Sequence, residues 1–373
     1  MNSYYNPVRT FEGFGCLAEL PRLLAELMPD GGRVLILAWS AEALRHPILV
    51  SLLDGQGAIT ARSMVFTASN PTVEQLFAVW QDTEAFDPRV VVAVGGGSIM
   101  DVGKSLCCLY GQNWQSPDDL RQHIAAGDLE PSAQWIGVPT TAGTGSEVTC
   151  WATIWDPEQD TKRSLESHKN YAWAALVDPE LTAGMPLHLA VSSALDAVAH
   201  AVESYWARRT NAVSRGLALE AIRTIMGNID GLFSDSAAAH EAMARGSMLA
   251  GLAFSNTKTT ACHSISYPLT MHYHIPHGTA VAMLLGPVMS YNASSVKDLP
   301  ALLDALGVAD ADGLQRRVTE LLLRSAQSAC LRDWGVPADD LGHMASLGMT
   351  KGRADNNPVS LTAEKIESIL MSV

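Results

Sequence analysis

The segment RVVVAVGGGSIMDVGKSLCCLY, residues 89–110, restricts the possible folds of this chain more than any other. It reads as a buried strand, a glycine turn and a helix in succession. Three glycines between a strand and a helix let the backbone approach a phosphate, and the helix N-terminus offers N–H groups to it. The spacing does not match G-x-G-x-x-G, so a plain tight turn is the competing reading. A second loop, PTTAGTGSE from Pro139 to Glu147, places hydroxyls and glycines after another short apolar strand. Two such turns suit a crevice at strand ends that holds a nucleotide.

The rest of the first half alternates in the same way. GRVLILAWS is strand-like and SAEALRHPILVSLLD helix-like; ARSMVFTA is strand-like, and SNPTVEQLFAVWQDTE opens with Ser/Asn/Pro helix-start chemistry. Strand–helix alternation predicts a mainly parallel sheet covered on both faces. After ALVDPELTAGMP the texture changes, and from Leu187 onward alanine and leucine recur at helical spacing. The expected organisation is an α/β domain over residues 1–182 and an all-helical domain over residues 183–373, a division in keeping with the length of 373 residues.

Bulk properties exclude some functions. With 47% hydrophobic and 17% charged residues, a large core is feasible. A net charge of −14 argues against a nucleic-acid partner, and an anionic small substrate would need a local cationic pocket. The six cysteines form no CxxC pair or framework, which suggests a reducing compartment. No basic-then-apolar leader and no run of eighteen apolar residues is present, so a cytoplasmic protein without a membrane span is expected.

Asp196 and His200, in ALDAVAHAVE, are four residues apart and share one helix face. Such a pair can share a metal ion or simply a hydrogen bond. NTKTTACHSISYPLTMHYHIPHG, residues 256–278, adds His263, His272, His274 and His277. His263, at the end of a small-residue stretch, and His277, fixed between Pro276 and Gly278 at a turn, are the best candidates to complete the set; one carboxylate and three imidazoles suit Fe²⁺ or Zn²⁺.

Taken together, GGGSIMD, PTTAGTGSE, ALVDPELT, ALDAVAHAVESYW and IPHG, in this order, resemble the iron-containing (group III) alcohol dehydrogenases over nearly the whole chain. The resemblance implies a Rossmann-like nucleotide domain followed by an all-α metal domain, the dehydroquinate synthase-like architecture. It implies metal ligands at Asp196, His200, His263 and His277. It implies NAD or NADP bound by Asn70, Gly96, Gly97, Ser98, Asp101, Thr140, Thr141, Thr144, Thr149 and Lys162. The implied reaction is hydride transfer between the cofactor and a small aldehyde or alcohol, in a homo-oligomer of two or more chains.

Three departures from the family pattern stand out. Where many relatives read HAMAHPLG, this chain has HSISYPLT, so Tyr267 replaces a histidine assigned to proton relay. Tyr267 could donate a proton or shape the pocket, and His272 or His274 could stand in. NAD-preferring relatives often carry an aspartate after the first nucleotide-domain strand, where this chain has Trp39 and Ser40, so NADP is allowed. Where relatives read patterns such as NAGLGLVH, this chain has NTKTTACH. Lys258, with Thr259 and Thr260, could bind an anion or merely cap a helix. That stretch and KRSLESHKNYA look like the branch that reduces phosphonoacetaldehyde to 2-hydroxyethylphosphonate. The alternatives are a dehydrogenase of short uncharged alcohols or diols and a dehydroquinate synthase-like lyase.

Overall fold

The computed structural model describes residues 3–373 apart from positions 56, 160 and 351. They form two compact units. One contains residues 6–141 and 146–182, the other residues 3–5, 142–145 and 183–373.

In the first unit the apolar runs become β1 (Arg9–Glu12), β2 (Gly32–Ala38), β3 (Ile59–Val65), β4 (Val90–Gly95), β5 (Gln134–Pro139), β6 (Trp151–Asp156), β7 (Thr161–Glu166) and β8 (Ala174–Val177). Six strands make a sheet in the order β1-β8-β5-β4-β2-β3, every neighbouring pair parallel. Val92 pairs with Ile36 on one side and Ile136 on the other. These strands are apolar at successive positions because both faces are covered. Leu35, Leu37, Val91, Ala93 and Trp135 point into one core, and Val34, Ile36, Val92, Val94 and Ile136 into a second. The predicted parallel α/β sheet is present. β6 and β7 stand apart from it as an antiparallel ribbon.

The helix Gly97–Leu109 follows β4 directly. It lies close on the sheet, because a Cβ on Gly103 would come within 2.9 Å of the Ala93 methyl. Gly96 is its N-cap, and no side chain among the described residues caps that end. The Ile99 N–H turns back to Gly96 O at 3.0 Å, and the N–H groups of Gly97 and Ser98 ahead of it suit an anion or water.

The second unit is helical. The helices Leu187–Trp206, Ala212–Met226, Ala237–Thr257, Ala261–Tyr273, His277–Asn292 and Ala311–Arg324 enclose one core. Leu187–Trp206 is buried on nearly all sides beyond its first turn, as expected for a helix whose alanines let neighbours close in all round. Among the described residues, no helix is long and apolar enough to cross a membrane.

Candidate active site

The helix Leu187–Trp206 lays out half of the site. Residues 196, 200 and 203 lie at i, i+4 and i+7, so Asp196, His200 and Glu203 emerge on one face. His263 comes from the helix Ala261–Tyr273, and His277 is the first residue of the helix that Pro276 introduces. Asp196 Oδ1 lies 3.3 Å from His263 Nε2 and 4.0 Å from His277 Nε2. The donor atoms of these three residues all fall within 4.8 Å of one another. His200 flanks the trio. Its Nδ1 is 3.9 Å from Asp196 Oδ2, and its ring stacks on Phe254 and His263 at centroid distances of 4.2 and 4.3 Å.

Asp196 Oδ1, His200 Nδ1 and His263 Nε2 are buried and have no hydrogen-bond partner among the described residues. Leaving such groups unsatisfied is costly, and native proteins avoid it. A carboxylate and imidazoles turned toward one another are the donors a divalent first-row cation takes. The residues fit a divalent metal. Burial alone would raise the Asp196 carboxyl, yet His200, His277 and His263 hold it well below the usual carboxylate range. Burial pushes His200 down to about 4, which keeps it neutral. Burial also pulls His263 down, but Glu203 and Asp196 outweigh it and leave its pKa raised.

Glu203 is the residue that sequence reading missed, although its i+7 spacing from Asp196 was visible. It is fully buried, with Oε2 2.5 Å from His263 Nδ1. Its Oε1 accepts from Thr260 Oγ1 at 2.8 Å and from the Cys262 N–H at 2.6 Å. Thr260 accepts in turn from Trp206 Nε1 at 2.9 Å. With Nδ1 turned to Glu203, the neutral His263 ring carries its lone pair on Nε2, which faces Asp196. Tyr267 is buried and stacks on His277, ring centroids 5.7 Å apart. His272 and His274 are exposed, and His274 closes its helix in a left-handed conformation.

Lys258 closes the helix Ala237–Thr257, its N–H donating to Phe254 O at 2.8 Å. Its backbone has φ 60° and ψ 178°, a region that belongs almost only to glycine. Lys258 occupies the third position of NTKTTACH, where the pattern NAGLGLVH has glycine.

The cofactor candidates divide into groups. Gly96 and Gly97 open the helix after β4; Ser98 Oγ accepts from the Asn70 N–H at 3.1 Å, and a Cβ on Gly96 would meet Thr141 at 3.2 Å. The Thr140 N–H donates to Gly95 O at 3.0 Å beside the same turn. Asp101 and Thr149 are engaged in a buried network instead. Asp101 accepts from Ser146 Oγ and the Thr153 N–H, both at 3.0 Å. Lys104, also unread in the sequence, donates to Ser146 Oγ at 2.7 Å, Thr149 Oγ1 at 2.9 Å and Trp151 O at 2.9 Å. Lys162 sits on the β6–β7 ribbon, 5.5 Å from the Trp155 ring. Thr144 goes with the helical unit.

Residues 7–179 match the family model for iron-containing alcohol dehydrogenase, and residues 190–373 match that for the C-terminal part of the same family. The chain belongs to the iron-containing alcohol dehydrogenase family. As a member it is an NAD(P)-dependent oxidoreductase of alcohols and aldehydes, and iron is the family's metal. It is 31% identical over 315 residues to a phosphonoacetaldehyde reductase of Streptomyces viridochromogenes, covering 80% of each protein. It is 28% identical to an NADPH-dependent butanol dehydrogenase of Clostridium saccharobutylicum, over 82% of this chain and 81% of that one. The crystal structure of sulfoacetaldehyde reductase from Bifidobacterium kashiwanohense in complex with NAD⁺ is similar at a TM-score of 0.89 and 26% identity, covering 100% of this chain and 98% of that one.

Proposed function

We propose that this iron-type dehydrogenase reduces a small aldehyde bearing an anionic head group, of the phosphonoacetaldehyde kind, to the corresponding alcohol. The observation that carries the proposal is Lys258. A lysine stands where the backbone conformation suits glycine, a few residues before His263. Strain of this kind costs about 1–3 kcal/mol and persists where function compensates for it. An ammonium there can attract an anion through charge-assisted hydrogen bonds. Similarity to the phosphonoacetaldehyde reductase supports the same reading.

Asp196, His263 and His277, with His200 beside them, are the residues we assign to the metal. Gly96, Gly97, Ser98, Asn70, Thr140 and Thr141 are those we assign to the dinucleotide phosphates and their surroundings, with Asp101 and Thr149 bracing the loop. When bound, a divalent metal supplies Lewis-acid polarisation of the carbonyl, and the reduced dinucleotide supplies the hydride. Glu203 fixes the His263 ring and its tautomer. Burial raises the Tyr267 pKa against the opposing pull of Arg353, so its phenol stays protonated and can donate a proton to the developing alkoxide. Trp39 and Ser40, just after β2, bring no carboxylate against a 2′-phosphate, which favours tolerance of both NADH and NADPH.

A second reading, reduction of short uncharged aldehydes, draws on the similarity to the butanol dehydrogenase. Oxidation of NADH and NADPH by the Fe²⁺-reconstituted protein separates the two. A kcat/KM advantage of phosphonoacetaldehyde over propanal of about a hundredfold, roughly 2.7 kcal/mol, is expected. Parity between the aldehydes would instead establish the uncharged substrate.

A further inference from the structure

Arg353 lies in the helical unit, just before the turn Ala354–Asn356. Its Nε donates to Thr259 Oγ1 at 3.2 Å, and its guanidinium carbon stands 5.1 Å from the centre of the Tyr267 ring. Tyr267 stacks on His277, which belongs to the trio around Asp196. Arg353 is thus separated from the Asp196 cluster by one side chain, Tyr267. It makes no ion pair among the described residues, although the chain has 39 acidic side chains against 25 lysines and arginines. Arg121 and Arg324, by contrast, are each held by several carboxylates. A guanidinium near the reacting end of a site, partnered by the neutral Thr259 and Tyr267 side chains, keeps its charge for something else.

The surrounding hydrogen bonds fix it in place. The Asn356 amide donates to Thr257 O at 2.8 Å and to Thr259 O at 3.0 Å, the two carbonyls that flank Lys258. The turn carrying Arg353 and the strained segment carrying Lys258 are therefore tied to each other at three points. Nε is spent on Thr259 and the Tyr267 hydroxyl also pairs with the guanidinium, but both partners are neutral and leave terminal N–H groups of a planar fork to an anion. That fork matches two oxygens of a tetrahedral oxyanion, which the point charge of a lysine does not.

We propose that Arg353 is a specificity-determining residue that grips the anionic head of the substrate through its terminal guanidinium nitrogens. Lys258 adds charge and Thr259 holds the fork. The head group is a phosphonate or a sulfonate, which share this chemistry. The inference rests on the anionic-aldehyde reading for the identity of the substrate, but not for the existence of the anion site.

The test uses the full chain, metal-reconstituted, as wild type, Arg353→Met and Arg353→Lys. Steady-state kinetics with phosphonoacetaldehyde, sulfoacetaldehyde and propanal are combined with calorimetric titration of methylphosphonate and methanesulfonate. Arg353→Met is expected to raise KM for the preferred anionic aldehyde by roughly 10–100-fold, with a much smaller change in kcat, as loss of a charge-assisted pair predicts. Its kcat/KM for propanal is expected to fall by less than about fivefold, and Arg353→Lys to recover part of the loss. Affinity for the matching inhibitor should fall in parallel, and whichever anion loses more names the head group. Equal losses on charged and neutral aldehydes would make Arg353 a mere support for Tyr267 and overturn the proposal. If wild type prefers the anionic aldehyde and Arg353→Met keeps that preference, the substrate reading stands and the inference falls. If wild type shows no preference but methylphosphonate or methanesulfonate binding depends on Arg353, the anion site stands and the substrate reading falls. Should Arg353→Met fail to fold, Arg353→Lys carries the test alone, through a KM rise of about three- to tenfold confined to the anionic aldehydes.

Discussion

At the scale of single residues, charge and backbone can be separated at Lys258. Its φ of 60° with ψ of 178° penalises any Cβ, whatever the side chain beyond it carries. Lys258→Gly and Lys258→Ala remove the same ammonium, but only glycine removes the strain. We expect Lys258→Gly to be more stable to urea than Lys258→Ala by about 1 kcal/mol, while both raise KM for an anionic aldehyde to the same extent. Equal stability of the two variants would show that the segment relaxes without cost. Lys258 was legible in the sequence as an anomaly, because its neighbours in NTKTTACH depart from a familiar pattern. Its conformation was not, since a left-handed lysine leaves no compositional trace. Arg353 was illegible for another reason. It meets Thr259 and Tyr267 only through the tertiary fold, from a distant segment with no motif around it.

At the scale of elements, the strands that run apolar throughout were easy to read, and β6 was not. In WATIWD the buried positions are Ala152, Ile154 and Asp156, while Trp151 and Trp155 lie on the more open side. An aspartate turned inward and tryptophans turned outward invert the usual binary pattern. Asp156 tolerates burial because Arg121 Nε lies 2.9 Å and Arg163 Nε 2.6 Å from its Oδ2. The four-residue β1 is too short to carry a periodic signal. The loop before β6 holds a similar surprise. Its turn Ser146–Val148 is locked to the helix Gly97–Leu109 by Lys104, and Glu147 is buried within it. Burial pushes the Glu147 carboxyl up to about 7, with its own backbone N–H and Lys104 opposing. A raised acid pKa means that the folded state holds its proton longer than the unfolded chain does. Below the unfolded value Glu147 costs nothing, and stability is lost as pH rises through about 7. Glu147→Gln should therefore be close to wild type at pH near 4.5 and more stable by about 3 kcal/mol at pH above 8. Chemical denaturation across that range measures it, and a constant difference between the two proteins would contradict the assignment.

At the scale of the whole molecule, the chain divides into units with separate cores, and the metal candidates all lie in one of them. Asp196 and His263 bring unsatisfied polar atoms to the middle of the helical core, next to helices that are otherwise apolar. A cation that binds only the folded form stabilises it by about 2.7 kcal/mol at a hundred times its Kd. That energy acts first on the segments that carry the donors, because stability is distributed unevenly through a structure and opens in local units. Chelation should therefore speed amide hydrogen exchange in Leu187–Trp206, Ala261–Tyr273 and His277–Asn292. Exchange in β4, β5 and the helix Gly97–Leu109 should change little. Restoring Fe²⁺ or Zn²⁺ should reverse the effect, whereas adding NAD(P) should protect the segments around Gly96 and Ser98 instead. Exchange that rises evenly over both units on chelation would mean that the two cores unfold as one. Exchange that stays unchanged around Asp196, His263 and His277 would remove them as the metal's ligands.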